Sequence, residues 1–185
     1  MSLRHDFDRE CRRLAPLFAA AQNADRDLHA AWKEGVSLFG GHHHYKQTEQ
    51  YQKTFDRFNE SRQVIDQIIG TALSEAKAGK VNLATLFAYT ALPGRYYRSG
   101  YQRASIWRFL KHLTLEAEQV QILRGIVLDQ ITRAGPEFVE ICRAARNIDS
   151  AELRESVRKL LLQPQKPYVL DRAKRMLDLL EHTSV

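Results

Sequence analysis

Acidic side chains are absent from a forty-residue segment in the middle of this chain, between Glu75 and Glu116. Residues 1–75 hold ten basic and eleven acidic residues, and residues 116–185 hold eleven of each, so the net charge of +6 comes from this segment alone. A field of one sign raises the local concentration of anionic partners. The segment carries seven basic residues: Lys77, Lys80, Arg95, Arg98, Arg103, Arg108 and Lys111.

Long apolar runs are also absent. No stretch approaches the roughly 20 residues that cross a bilayer, and the charged N-terminus lacks the apolar core of a signal peptide, so we expect no membrane association. Cys11 and Cys142 are too few for a disulfide framework. Both fall on apolar stripes of predicted helices, where cysteine behaves as a small hydrophobic residue. These absences together predict a cytoplasmic protein.

Signatures of catalysis and of cofactor binding are missing from the sequence. It contains no glycine-rich phosphate loop, nucleophile elbow or HExxH pattern, and no glutamate is followed by histidine at the third position, as a di-iron bundle requires. His42-His43-His44 are adjacent, which suits tetrahedral metal binding poorly. Adventitious metal binding and a functional metal or pH-sensing site both stay open for them. We expect no cofactor and no dedicated metal, and a non-catalytic protein more than an enzyme.

The patterns that are present indicate helices. Apolar residues recur at steps of three and four from Phe7 to Phe39 and again from Tyr51 to Ala76, which predicts two long amphipathic helices. A glycine-containing loop joins them, so residues 1–79 are predicted to form an antiparallel hairpin. Pro16 lacks a backbone N–H and is expected to kink or restart the first helix.

Shorter helices follow in residues 80–185. Pro93-Gly94, Gly135-Pro136 and the prolines Pro164 and Pro167 separate them. Sustained period-two alternation is absent, so we expect no sheet. The prediction is a single all-α domain, 1–185, of about seven helices, in which the long N-terminal hairpin packs with a compact bundle of shorter helices.

Two segments of the C-terminal half resemble each other loosely. Phe138-Val139 and Tyr168-Val169 each follow a proline and precede an Arg-Ala pair. Two imperfect copies are fewer than the three or so that a solenoid needs. A stacked pair of helices and a coincidence both remain open.

The basic segment contains one predicted helix with two distinct faces. On a helical wheel, Ile106, Phe109, Leu110 and Leu113 cluster as a buried stripe, whereas Arg108 and Lys111 fall nearly opposite. Immediately upstream, the loop between Pro93 and Gly100 carries two arginines around two tyrosines. Glycines at both ends let such a loop approach a ligand closely.

This combination favours a polyanion with stackable parts. Arginine forks match phosphate oxygens, aromatic faces stack on bases, and single-stranded RNA exposes its bases. We therefore predict a nucleic-acid-binding face, with single-stranded or structured RNA favoured over a specific duplex. The predicted phosphate contacts are Arg95, Arg98, Arg103, Arg108 and Lys111, and the predicted stacking residues are Tyr96, Tyr97, Tyr101 and Trp107.

Two alternatives compete with this prediction. The protein can be an interaction or adaptor module that docks an acidic protein surface through the hairpin or the basic face. The aromatic residues can also be core residues, as most are, with the arginines paired to distant acids. Sequence alone leaves the choice among RNA, DNA and protein open, and it does not indicate the oligomeric state.

Overall fold

The computed structural model describes residues 2–38, 46, 48–80, 83–133, 135 and 137–182. Within these residues every regular element is helical and no strand occurs, which confirms the all-α prediction. The count of eight α-helices is close to the predicted seven. They are α1 (Leu3–Leu38), α2 (Glu49–Lys77), α3 (Ala84–Ala91), α4 (Ser99–Leu110), α5 (Ala117–Thr132), α6 (Phe138–Ala145), α7 (Ala151–Leu162) and α8 (Pro167–Glu181).

The chain divides into two compact units. One comprises Asp8–Tyr97, and the other comprises Met1–Phe7 with Arg98–Val185. The division that we expected at residue 79 assigned α3 to the later helices, whereas in the structure α3 belongs to the unit of the two long helices. The expectation of a single domain over 1–185 stays a prediction.

In the Asp8–Tyr97 unit, α1 and α2 run antiparallel. Glu34 accepts a hydrogen bond from Gln50 at 3.3 Å, and Asp27 pairs with Arg57. Residues later in α2 therefore contact residues earlier in α1, which is the antiparallel arrangement of the predicted hairpin. His42-His43-His44, in the connection between the two helices, lie outside the described residues. The buried residues of the two helices recur at steps of three, four and seven: Leu14, Phe18, Ala21, Ala24, Ala31, Phe58, Ile65 and Ile69.

Pro16 lies inside α1 without ending it. Proline in a helix interior costs about 3 kcal/mol. Leu14 and Phe18, on either side of it, are fully buried, and each contributes about 1.5–3 kcal/mol by burial. Packing on both sides therefore offsets the missing hydrogen bond, and the restart that the sequence suggested is not observed.

The loop after α3 is braced against α1. The Gln22 side-chain amide donates hydrogen bonds to the carbonyls of Pro93 and Arg95, both at 3.3 Å. Gly94 adopts a φ of +77°, a conformation that side chains rarely take, and a Cβ at this position would overlap the Gln22 amide. Glycine is required here for both reasons.

In the second unit, α4 packs on α6, and α6 and α7 both pack on α8. The core takes Ile106, Trp107 and Leu110 from α4 and further residues from the other helices: Leu123, Val127, Ile141, Cys142, Leu153, Val157, Ala173 and Met176. Glu118 binds the start of α1 by accepting the backbone N–H groups of Leu3 at 3.1 Å and Arg4 at 2.9 Å. The hydrogen bond from Arg4 is the main cause of the lowered pKa of Glu118.

Glycine-to-alanine substitutions at two positions are expected to act in opposite directions. Gly94→Ala should lower the free energy of unfolding by about 1–2 kcal/mol, the cost of a left-handed conformation for an L residue, and further because its Cβ would displace the Gln22 amide. Gly70 lies exposed in α2 with nothing within 4 Å of an added Cβ, so Gly70→Ala should raise the free energy by about 0.5–1 kcal/mol. Urea unfolding followed by circular dichroism measures both changes. A shift of the same sign in the two variants would contradict this description of the loop.

The two cysteines should differ in reactivity. Burial raises the pKa of the Cys142 thiol to about 11, whereas Cys11 is partly exposed. Because the thiolate is the nucleophile, iodoacetamide at pH 8 should modify Cys11 and leave Cys142 intact, as intact-mass spectrometry can show. In urea both should react. Equal rates in the folded protein would show that Cys142 is not buried as described.

Candidate nucleic-acid interface

The nine predicted contact residues are divided between the two units, because the chain passes from one unit to the other between Tyr97 and Arg98. Arg95, Tyr96 and Tyr97 belong to the unit of the long helices. The others belong to the second unit: Arg98, Tyr101, Arg103, Trp107, Arg108 and Lys111.

Tyr96 is part of the core of the Asp8–Tyr97 unit. Only 3% of it is exposed, its hydroxyl lies 3.1 Å from that of Tyr89, and its ring meets Phe18 edge-on with the centroids 5.2 Å apart. A ring enclosed in this way has no face free for a base. The structure therefore assigns Tyr96 a packing role in place of the predicted stacking.

Tyr97 points the other way, with 66% of its surface exposed. Its backbone N–H donates to the carboxylate of Asp25 at 3.3 Å. Burial raises the pKa of Asp25, and the Tyr97 hydrogen bond and the nearby His29 oppose that rise. Arg95 is partly buried in the same loop. Tyr97 thus has an accessible ring on a backbone that α1 holds in place.

The buried side of α4 differs from the predicted stripe. Ile106 and Leu110 are buried as expected, but Phe109 and Leu113 are only partly buried. Trp107 is fully buried instead. The helix is therefore turned about its axis, away from Phe109 and towards Trp107, relative to the prediction. Trp107, like Tyr96, has no surface free to stack on a base.

Arg103 explains this rotation. Its side chain is 3% exposed and lies 3.8 Å from the carboxylate of Glu137, which is 1% exposed. A buried charge is tolerated when an opposite charge accompanies it. Arg103 faces α6 in order to meet Glu137, and it is not available to a phosphate group.

Four predicted residues remain on the outer side of the helix in the second unit. Arg98, at the N-terminal end of α4, is exposed, and Tyr101 is exposed over 76% of its surface. Arg108 has 54% of its side chain exposed, and Lys111 is partly exposed. We call Arg98, Tyr101, Arg108 and Lys111 the α4 basic face. Tyr101 and Arg108 lie about two helical turns, or roughly 10 Å, apart.

The backbone of Arg98 has a φ of +72°, the one positive φ at a residue other than glycine in the described part of the chain.

Arg108 lies 3.7 Å from the carboxylate of Glu140, which is also 3.0 Å from Arg143. The contact of Arg108 with Glu140 is longer than a hydrogen bond, and 54% of the Arg108 side chain stays exposed beside it.

We also searched the described residues for metal sites and for helices that could span a membrane. They contain no group of three or more histidine, cysteine or acidic residues that could hold a metal ion, and none of their helices is long and apolar enough to cross a membrane. No family model, curated protein or solved structure matches this chain.

Removal of either partner of the buried ion pair should destabilise the protein. Arg103→Met and Glu137→Leu each remove one half of the buried ion pair, so each should lower the free energy of unfolding by about 3–5 kcal/mol. The double variant should recover much of that loss, because two apolar residues of similar volume can replace a buried pair. Urea unfolding of the three variants measures the coupling, and additive losses would contradict the pairing.

Proposed function

We propose that this protein binds RNA without catalysis through the α4 basic face. The observation that carries the proposal is the exposure of Tyr101 between Arg98 and Arg108. An exposed tyrosine provides a stacking face of about 1–3 kcal/mol per base, and the flanking guanidinium groups suit phosphate oxygens. Single-stranded or structured RNA offers both groups at once.

Charge in this face supports the proposal. Arg98 and Lys111 form no salt bridge within the described part of the chain. Arg108 has 54% of its side chain exposed, and its contact with Glu140 is long, at 3.7 Å. Cations without close counter-charges release counterions when they meet phosphates, which makes binding depend on salt. Arg95 and Tyr97, in the other unit, remain predicted contacts.

Binding should depend on salt and on three cations of the α4 basic face. Fluorescence anisotropy with labelled oligouridylate, oligodeoxythymidylate and duplex DNA of about 12 units, within the usual range of single-strand sites, tests this. The variant Arg98→Gln/Arg108→Gln/Lys111→Gln should bind more weakly. The slope of log K against log salt should fall by about 2, because each phosphate contact of a single strand contributes about 0.7.

The matched control removes three exposed lysines elsewhere. Lys77→Gln/Lys159→Gln/Lys166→Gln changes the net charge equally and should keep the wild-type slope. Tyr101→Ala should weaken binding by roughly 5- to 150-fold, the equivalent of about 1–3 kcal/mol, without changing the slope. Tyr101→Phe keeps the ring and should bind normally.

Two outcomes would reject the proposal. One is an absence of binding to all three nucleic acids at low salt. The other is equal loss in the face variant and the lysine control, which would indicate attraction by net charge alone. Binding to an acidic protein in the absence of nucleic-acid binding would instead favour the adaptor function.

A further inference from the structure

The positive surface of the second unit continues from α4 onto α6. The Glu140 carboxylate lies between Arg108 of α4 and Arg143 of α6, at 3.7 Å and 3.0 Å. At the end of α4, the Asn147 amide donates to the carbonyl of Lys111. Arg146, the residue before Asn147, is therefore adjacent to the same end of α4. Arg108 and Arg143 thus share one carboxylate, and Lys111 and Arg146 lie at the adjacent ends of α4 and α6.

A cleft of about 480 Å³ extends this surface from α6 to α8. Arg143 and Arg146 line it from the α6 side, and Arg175 lines it from α8. Val139 and Leu179 form an apolar part of its wall, and Asp178 is the one carboxylate in its described lining. Three guanidinium groups against one carboxylate leave the cleft positive.

Arg146 and Arg175 differ from most arginines of their unit. Both are exposed, and neither forms a salt bridge within the residues that the structure describes. In contrast, Arg124, Arg154 and Arg158 each lie against a carboxylate. A guanidinium group at a cleft without a carboxylate partner keeps its fork available for an anion.

The arginines of the cleft come from the two segments that resemble each other in the sequence, which begin at Pro136 and Pro167. Arg143-Ala-Ala-Arg146 on α6 and Arg172-Ala-Lys-Arg175 on α8 each place two arginines one turn apart. Arg172 lies over the rings of Phe138 and Tyr168, at 5.1 and 5.5 Å. Burial raises the pKa of Cys142, and the positive charges of Arg175, Arg146 and Arg172 oppose that rise, so all three arginines lie near this cysteine.

The spread of these cations indicates the shape of the ligand. Packed helices lie about 8–10 Å apart, so α4, α6 and α8 distribute the cations over as much as roughly 20 Å. A single phosphate or carboxylate cannot span such a distance, whereas a polymer with regularly spaced charges can. The described lining of the cleft contains three guanidinium groups and the imidazole of His182, but no tyrosine, phenylalanine or tryptophan. It therefore suits the backbone of a polynucleotide better than its bases.

We propose that the cleft between α6 and α8 is a second phosphate-binding subsite of the RNA, which continues there from the α4 basic face. The inference rests on the proposed function. Arg146 and Arg175 bind backbone phosphates, and Val139 and Leu179 pack against the sugars. Tyr101 stacks on a base at the other end of the surface that joins the α4 basic face to the cleft, which we call the track.

Oligonucleotides of different lengths test the inference. Labelled oligouridylates of about 4, 8, 12 and 16 nucleotides cover the usual range of single-strand sites. We expect Arg146→Gln/Arg175→Gln to lower the salt slope by about 1.4 for the long oligonucleotides, at about 0.7 per contact. For the 4-mer, which Tyr101 anchors on α4, affinity should stay within about twofold of wild type. The variant's thermal unfolding confirms that it is folded.

Lys159→Gln/Lys166→Gln is the matched control and should retain the wild-type length dependence. Wild-type binding with an unchanged slope in the arginine variant would overturn the cleft subsite and leave the proposed function standing. Absence of binding by the wild-type protein would overturn both. Displacement of the 16-mer by polyglutamate as effectively as by unlabelled oligouridylate of equal charge would assign the track to acidic proteins and would also overturn the inference.

Discussion

The buried ion pair between Arg103 and Glu137 determines which side of α4 faces solvent. A guanidinium group without its carboxylate in the protein interior is unfavourable by several kcal/mol, so α4 must turn Arg103 towards α6. Residues on a helix are fixed in angle relative to one another. The same rotation therefore carries Trp107 into the core and leaves Tyr101 and Arg108 outside. The accessible surface of α4 follows from one carboxylate on another helix.

Much of the fold was predictable because its determinants are local. The apolar periodicity of α1 and α2 indicated two long helices, and the stops after them indicated a hairpin. The candidate site was less predictable, because burial depends on partners that are distant in sequence. Tyr96 and Tyr97 are adjacent and chemically alike, yet Phe18 and Tyr89 enclose one ring and leave the other exposed. Arg103 was predicted to contact phosphate because its buried partner, Glu137, is distant in the sequence.

The net charge of a sequence segment does not predict the charge of its surface when its carboxylates are paired with arginines of the same unit. Residues 116–185 hold equal numbers of acidic and basic residues, and so appeared neutral in the sequence. Their acids Glu152, Asp149 and Glu181 lie against arginines on α5 or α7. Arg146 and Arg175 consequently remain exposed without such partners. A neutral stretch of sequence thus contributes a positive surface, and the acid-free segment marks only one end of it.

At position 98, the residue that would best stabilise the fold differs from the residue that would bind an anion, because the backbone of Arg98 is left-handed. An L residue at a φ of +72° holds roughly 1 kcal/mol of strain that glycine would relieve. A library selected only for survival on heating would therefore enrich glycine at residue 98 and discard a cation of the α4 basic face. Heat-stable variants from such a library would then bind anions less well than the wild-type protein and would not reveal its ligand. Position 98 should be held fixed in any such selection.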